Sequence, residues 1–207
     1  MASEANTFEA VFFDLDGTLY DKRGMGRRMV WAALKRGRLR AGGPWRPLKC
    51  IRLMALERKV RRLLAGQKAG SEDLFEGIAS GSGLPVVDVR RWYNEWYMPA
   101  MISALKNYHP DEAVLAKARM FKAAGVKIAV LSDYGCGREK LEALGADPQL
   151  FDALLDAPSL GGFKPCPDTF LAACACLGVA PDRSALVGDR HDTDGGGEAV
   201  GMKYIPK

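Results

Sequence analysis

Three short apolar runs punctuate the chain, each ending at a polar residue. Glu9-Ala10-Val11-Phe12-Phe13 stops at Asp14, Val126-Lys127-Ile128-Ala129-Val130-Leu131 stops at Ser132, and Ala185-Leu186-Val187-Gly188 stops at Asp189. Brief β-prone runs with little polar alternation read as strands buried on both faces of a parallel sheet. Met202 to Ile205 reads as a last, edge strand. Between the later strands the pattern turns helical. Asp111 reads as the N-cap of a helix from Glu112 to Ala124 that Gly125 stops. A second helix, Arg138 to Leu144, closes at Gly145. A third, Pro167 to Leu177, has proline at its start and Gly178 just past its end. Strands alternating with helices predict an α/β fold with a parallel sheet.

From about Asp21 to Leu105 this alternation breaks. The pattern is helical and contains no convincing strand. Leu53, Leu56, Val60, Leu63 and Leu64 form one apolar stripe at helical spacing. Ser71 is placed to cap a helix through Ile78, and Val86 to Ala104 holds one or two more, with a kink at Pro99. Gly42-Gly43-Pro44 and Gly81-Ser82-Gly83 read as turns. The chain thus divides into an α/β core, residues 1–20 and 105–207, and a helical insertion, residues 21–104.

Charge sharpens that division. Residues 22–68 hold 16 Lys or Arg against the single acid Glu57, a net of +15; the whole chain is +5, which leaves −10 for the rest. Three readings of the basic insertion are open. It provides solvated helix faces, it draws phosphorylated substrates toward a site, or it contacts anionic lipid or nucleic acid. Trp31 and Trp45 among the arginines suit the third reading, and suit ordinary packing equally. Composition adds little: 48% hydrophobic and 27% charged residues are ordinary for a soluble protein. No apolar run approaches a membrane span, and Met1 to Asn6 shows no secretory pattern. The five cysteines, Cys50, Cys136, Cys166, Cys174 and Cys176, are odd in number and lack C-x-x-C spacing. They read as reduced thiols in a cytoplasmic protein.

The chemistry gathers at the strand ends. Open α/β sheets bind ligands beyond the carboxyl ends of their strands. Asp14, Ser132 and Asp189 would meet there, with Lys164 and Asp194 on neighbouring loops. A carboxylate at Asp14 can attack phosphorus and form an acyl phosphate. Asp16 can protonate the leaving oxygen and later deprotonate water. A phosphate dianion approaches a carboxylate only when neutralised, and Mg²⁺ on Asp14 and Asp189 would do this. Lys164 adds a fixed positive charge, and Thr18 and Ser132 add donors to the phosphate oxygens. Gly17 lets the backbone turn closely around the phosphoryl group. Tyr134 and Arg138 either touch substrate or lie at the surface. His109 and His191, the two histidines, read as structural or surface residues.

In these residues the chain resembles the haloacid dehalogenase superfamily. Asp14-Leu15-Asp16-Gly17-Thr18-Leu19 is similar to its first motif and Leu131-Ser132-Asp133 to its second. Lys164-Pro165 is similar to the third, and Gly188-Asp189 with Asp194 to the fourth. The resemblance implies a Rossmann-like core and a helical cap domain formed by the insertion. It also implies that the backbone carbonyl of Asp16 joins Asp14 and Asp189 around Mg²⁺, with Asp194 in support. An aspartate at position 16 favours phosphate esters over carbon–halogen bonds. The implied activity is a phosphatase acting on a small phosphorylated metabolite. A phosphomutase uses the same aspartate pair, and a non-catalytic polyanion- or membrane-surface-binding module is the more distant alternative. Gly195-Gly196-Gly197 departs from the family pattern, and the gap to Gly201-Met202 is one residue short. Asp192 is therefore the alternative to Asp194.

Overall fold

The computed structural model describes residues 7–35 and 46–207. Five strands form one parallel sheet: β1 (Ala10–Phe13), β2 (Lys127–Ser132), β3 (Ala153–Asp156), β4 (Ser184–Gly188) and β5 (Lys203–Pro206). Their spatial order is β3-β2-β1-β4-β5, so β1 is central. Phe13 pairs with Val130 on one side and Val187 on the other. Three strand ends therefore arrive level, and the polar residues that follow share one rim.

β1 is buried along its whole length, which explains its unbroken apolar run. Successive side chains alternate between faces. Ala10 and Phe12 join Phe170, Ala173 and Cys174 in one core cluster. Val11 and Phe13 join the larger cluster on the opposite face, with Phe121, Leu141 and the apolar residues of the insertion.

The first helices all fall between β1 and β2. They are α1 (Met25–Lys35), α2 (Pro47–Leu64), α3 (Ser71–Ser82), α4 (Val86–Trp92) and α5 (Met98–Leu105). Four further helices belong to the sheet region: α6 (Glu112–Ala123), α7 (Gly137–Leu144), α8 (Pro167–Leu177) and the single turn α9 (His191–Asp194). Asp111 caps α6 as expected, accepting from the N–H groups of Ala113 and Val114 at 3.2 and 3.3 Å. Among the described residues no helix is long and apolar enough to cross a membrane. The described part of residues 21–104 contains no named strand, only an isolated bridge between Ala65 and Phe163.

The structure departs from the sequence reading at five points. β3 was not anticipated. It is four residues long and only half-buried, so its pattern is too short and too weak to read. Gly70, not Ser71, is the N-cap of α3; its N–H donates to the Asp73 carboxylate at 2.7 Å. That helix also continues through Gly81 and Ser82 to a left-handed Gly83, so the turn starts later than the glycines suggest. Leu63 leaves the apolar stripe and is exposed, while Cys50, Leu53, Met54, Glu57 and Val60 form the buried face of α2. The kink expected at Pro99 takes the form of a π-turn at Tyr93–Tyr97, since a proline ring excludes the carbonyl four residues back. Gly42-Gly43-Pro44 and Trp45 lie outside the described residues.

Candidate active site

The turn after β1 places Asp14, Asp16 and Thr18 at the sheet rim, all buried. Asp14 leaves the sheet while its N–H still donates to the Val187 carbonyl at 2.9 Å. Its Oδ1 accepts from Lys164 Nζ at 2.8 Å and its Oδ2 from Thr18 Oγ1 at 2.9 Å. Gly17 has φ +115°; a Cβ there would lie 2.5 Å from Asp189 Oδ2 and from Lys22 Nζ. Glycine alone lets this turn pass so close to the acids.

Lys164 is the hub of the buried charges. Its Nζ also donates to Asp194 Oδ1 at 2.6 Å and to the Leu131 carbonyl at 3.2 Å. Burial alone would lower its pKa, but Asp14, Asp133 and Asp194 together hold it above the ordinary lysine value. For Asp14, burial pulls the pKa up, yet Lys164 and the Thr18 hydroxyl take it below the ordinary aspartate value. Asp194 goes the other way, pushed up to about 6 by burial and by Asp14 against the pull of Lys164. Backbone and side chain of Lys164 are both fixed, for its N–H donates to Asp133 Oδ1 at 2.9 Å.

Asp194, not Asp192, is the acid brought to the site. Asp194 is buried against Lys164, whereas Asp192 lies outside and pairs with Arg190 at 3.0 Å. The three glycines after Asp194 also have a packing reason. Residues Gly195–Val200 form a 3₁₀ segment, and a Cβ on Gly196 would come within 2.8 Å of Pro165 Cα. The segment lies directly on the loop that carries Lys164.

Asp14, Asp189 and Asp194 each offer a carboxylate oxygen, and these lie within 4.8 Å of one another. The Asp16 carbonyl and the Asp189 carboxylate already converge on a cation: Lys22 Nζ donates to Asp16 O at 2.7 Å and sits 3.1 Å from Asp189 Oδ2. An all-oxygen, anionic donor set that gathers positive charge fits a hard cation such as Mg²⁺.

Ser132 Oγ donates to Asp16 Oδ2 at 3.0 Å, and Thr18 faces Asp14, so both hydroxyls are engaged by the aspartates. Three residues at Asp16 and its cation were not foreseen. Tyr20 donates its phenol to Asp16 Oδ1 at 2.7 Å, the buried Lys140 ammonium pairs with Asp16 Oδ2, and Lys22 holds the Asp16 carbonyl. Lys140 lies beside Leu141 and Leu144 on the buried face of α7, and a lysine on an apolar helix face was the available signal. Tyr134 lines the cleft under the Arg61 guanidinium, 3.9 Å from its ring centre. Arg138 borders a separate groove with Pro148 and Asp152. His109 is exposed, and His191 is an outer residue paired with Glu198 at 2.9 Å.

A cavity of about 840 Å³ opens over this cluster. Asp14, Asp16, Lys164, Asp189 and Asp194 line it from the sheet rim, and residues of α1 and α2 line it from the insertion.

Comparison with known proteins follows the same lines. The chain is 26% identical over 205 residues to N-acylneuraminate-9-phosphatase of Rattus norvegicus, spanning 94% of this chain and 79% of that one. Its fold is similar to a structure described as a predicted phosphoglycolate phosphatase from Haemophilus somnus, with a TM-score of 0.62 at 20% identity over 97% of this chain and 85% of that one. It is also similar to L-2-haloacid dehalogenase from Xanthobacter autotrophicus, with a TM-score of 0.58 at 22% identity over 95% and 76% of the two chains. The haloacid dehalogenase-like hydrolase family matches residues 8–201. The chain is a member of that family and a hydrolase.

Proposed function

We propose that this hydrolase is a Mg²⁺-dependent phosphatase that cleaves a small phosphorylated metabolite through an aspartyl-phosphate on Asp14. The observation that carries the reading is Asp14 itself. It is a buried carboxylate at the end of the central strand, held by Lys164 and Thr18, with a second aspartate two residues on and two more acids within 4.8 Å. Similarity to N-acylneuraminate-9-phosphatase supports phosphate ester chemistry, as does the carboxylate at Asp16.

In the first half-reaction Asp14 attacks phosphorus in line with the ester oxygen. The phosphorus–oxygen ester bond breaks, and Asp16 gives its proton to the departing oxygen. In the second, Asp16 takes a proton from water as the water attacks phosphorus, and Asp14 leaves with orthophosphate released. Lys164 balances charge on Asp14 throughout, and Thr18 and Ser132 orient the two carboxylates before turning toward phosphate oxygens. Asp14, the Asp16 carbonyl and Asp189, with Asp194 in support, would hold Mg²⁺, whose charge lets a phosphate dianion approach a carboxylate. Residues 21–104 act as a cap that covers the cavity and keeps bulk water from the acyl phosphate. Free thiols, three of them buried, suit the cytoplasm.

The test is release of phosphate from p-nitrophenyl phosphate with and without Mg²⁺. Asp14→Asn is expected to lower kcat by roughly a thousandfold or more, and chelation of the metal to abolish turnover. Full activity in the Asp14 variant would sink the mechanism.

A further inference from the structure

We infer that the substrate carries a second anionic group on its leaving alcohol, and that Arg58 and Arg62 of α2 recognise it. This rests on the phosphatase reading and narrows its substrate class. The ionic partners of the cavity's charges sort them into two groups. Lys164 is matched by Asp14 and Asp194, Arg61 by Glu57, Lys22 by Asp189 and Arg190 by Asp192. Arg27, Arg58 and Arg62 line the same cavity and have no carboxylate partner among the described residues; of these, Arg58 and Arg62 stand together on α2.

Both side chains are tethered in the same manner. Arg58 Nε donates to the Met54 carbonyl at 3.3 Å, and Arg62 Nε donates to the Arg58 carbonyl at 3.2 Å. The bond that positions each guanidinium thus uses Nε and leaves the terminal NH₂ pair for another acceptor. Residues four apart share a helix face, so the two forks stand one turn apart on one wall. A planar fork matches a carboxylate or phosphate through two parallel hydrogen bonds. The phosphoryl group itself has its own cationic partners at the rim, Lys164 and the proposed metal. The wall arginines are therefore surplus to the reacting phosphate, and an anion elsewhere on the same molecule balances them. Met25, Met29, Ile51, Met54 and Met101 line the cavity too, and give an organic linker between the two anions an apolar surface to rest on.

Non-hydrolysable phosphonates test this on the whole protein without relying on turnover. Calorimetry in Mg²⁺ would compare 3-phosphonopropionate with butylphosphonate, which has a similar length and no carboxylate. The carboxylate ligand is expected to bind roughly tenfold tighter or more, ~1.4 kcal/mol. In an Arg58→Ala/Arg62→Ala variant, shown folded by its melting temperature, that ratio should fall toward one. Equal binding of both ligands to the wild type overturns the inference and leaves the phosphatase reading intact. A preference that survives in the double variant overturns the assignment to these arginines. If neither phosphonate binds and no phosphate ester is hydrolysed, the phosphatase reading falls and this inference falls with it.

Discussion

Lys22 and the proposed cation want the same oxygens. Its ammonium lies 2.7 Å from the Asp16 carbonyl and 3.1 Å from Asp189 Oδ2, and both groups are assigned to Mg²⁺. Two positive charges cannot share that position, since unit charges 4 Å apart exchange ~4 kcal/mol at an effective dielectric of about 20. The Lys22 side chain is 42% exposed, which softens the repulsion and gives the ammonium room to swing into the cavity. Lys22→Met is therefore expected to tighten Mg²⁺ binding by about an order of magnitude (~1.4 kcal/mol). Calorimetry, or the rise in melting temperature per increment of Mg²⁺, would show it. Weaker binding in the variant would mean that Lys22 assists the metal. The same residue shows where reading the sequence stops. Asp14, Asp16, Asp189 and Lys164 were legible because a strand end fixes where a short side chain or its loop must lie. Lys22 and Tyr20 reach the site through long side chains from a loop, and spacing carries no trace of that reach; Lys140, 124 positions from Asp16, shows in the sequence only as a lysine on an apolar helix face.

At the level of elements, one buried ion pair ties the insertion to the catalytic loops. Glu57 and Arg61, one turn apart on α2, pair at 2.7 Å with side chains 0% and 11% exposed. Tyr97 donates its phenol to Glu57 Oε2 at 3.1 Å, bringing in the π-turn before α5. Arg61 also donates to the Asp133 carbonyl at 2.6 Å and lies over the Tyr134 and Phe163 rings. Asp133 in turn accepts the Lys164 N–H, so α2 reaches the hub lysine in two steps. Removing one partner leaves the other charge buried and alone. Glu57→Ala is expected to cost about 3–5 kcal/mol in urea or guanidinium unfolding, and a double Glu57→Met/Arg61→Met exchange much less. A Glu57→Ala loss under about 1 kcal/mol would show the pair to be solvated. This network was invisible in the sequence, where Glu57 stood out only as the lone acid in a basic stretch. The helices that carry it were legible from their apolar spacing, apart from the boundaries that Gly70 and Gly83 set and the outward turn of Leu63.

On the scale of the molecule, the sheet explains why separate motifs act together, and charge explains how substrate arrives. The order β3-β2-β1-β4-β5 puts the strand of Asp14 between those of Ser132 and Asp189. Three apolar runs with polar ends were enough to anticipate that rim, while β3, short and half-buried, stands beyond β2 and contributes nothing to it that a pattern would reveal. The charge asymmetry places +15 within residues 22–68 and −10 elsewhere. Lys22, Arg27, Arg58, Arg61 and Arg62 bring part of that positive charge to the cavity wall. The rim acids Asp14, Asp189 and Asp194 are matched by Lys164 and Lys22, so the unmatched charge on the cavity wall is positive, and such a field raises the local concentration of anions. Salt screens that field, the Debye length shrinking from about 30 Å at 0.01 M to about 8 Å at 0.15 M. Phosphate ester hydrolysis should therefore lose kcat/KM severalfold across that range, with kcat nearly constant because the bound substrate already sits inside the screened distance. Initial rates at a series of sodium chloride concentrations measure both quantities. A flat kcat/KM would return the basic residues to the role of solvated helix faces. A parallel fall in kcat would place the salt effect on the chemistry at Asp14 and not on capture.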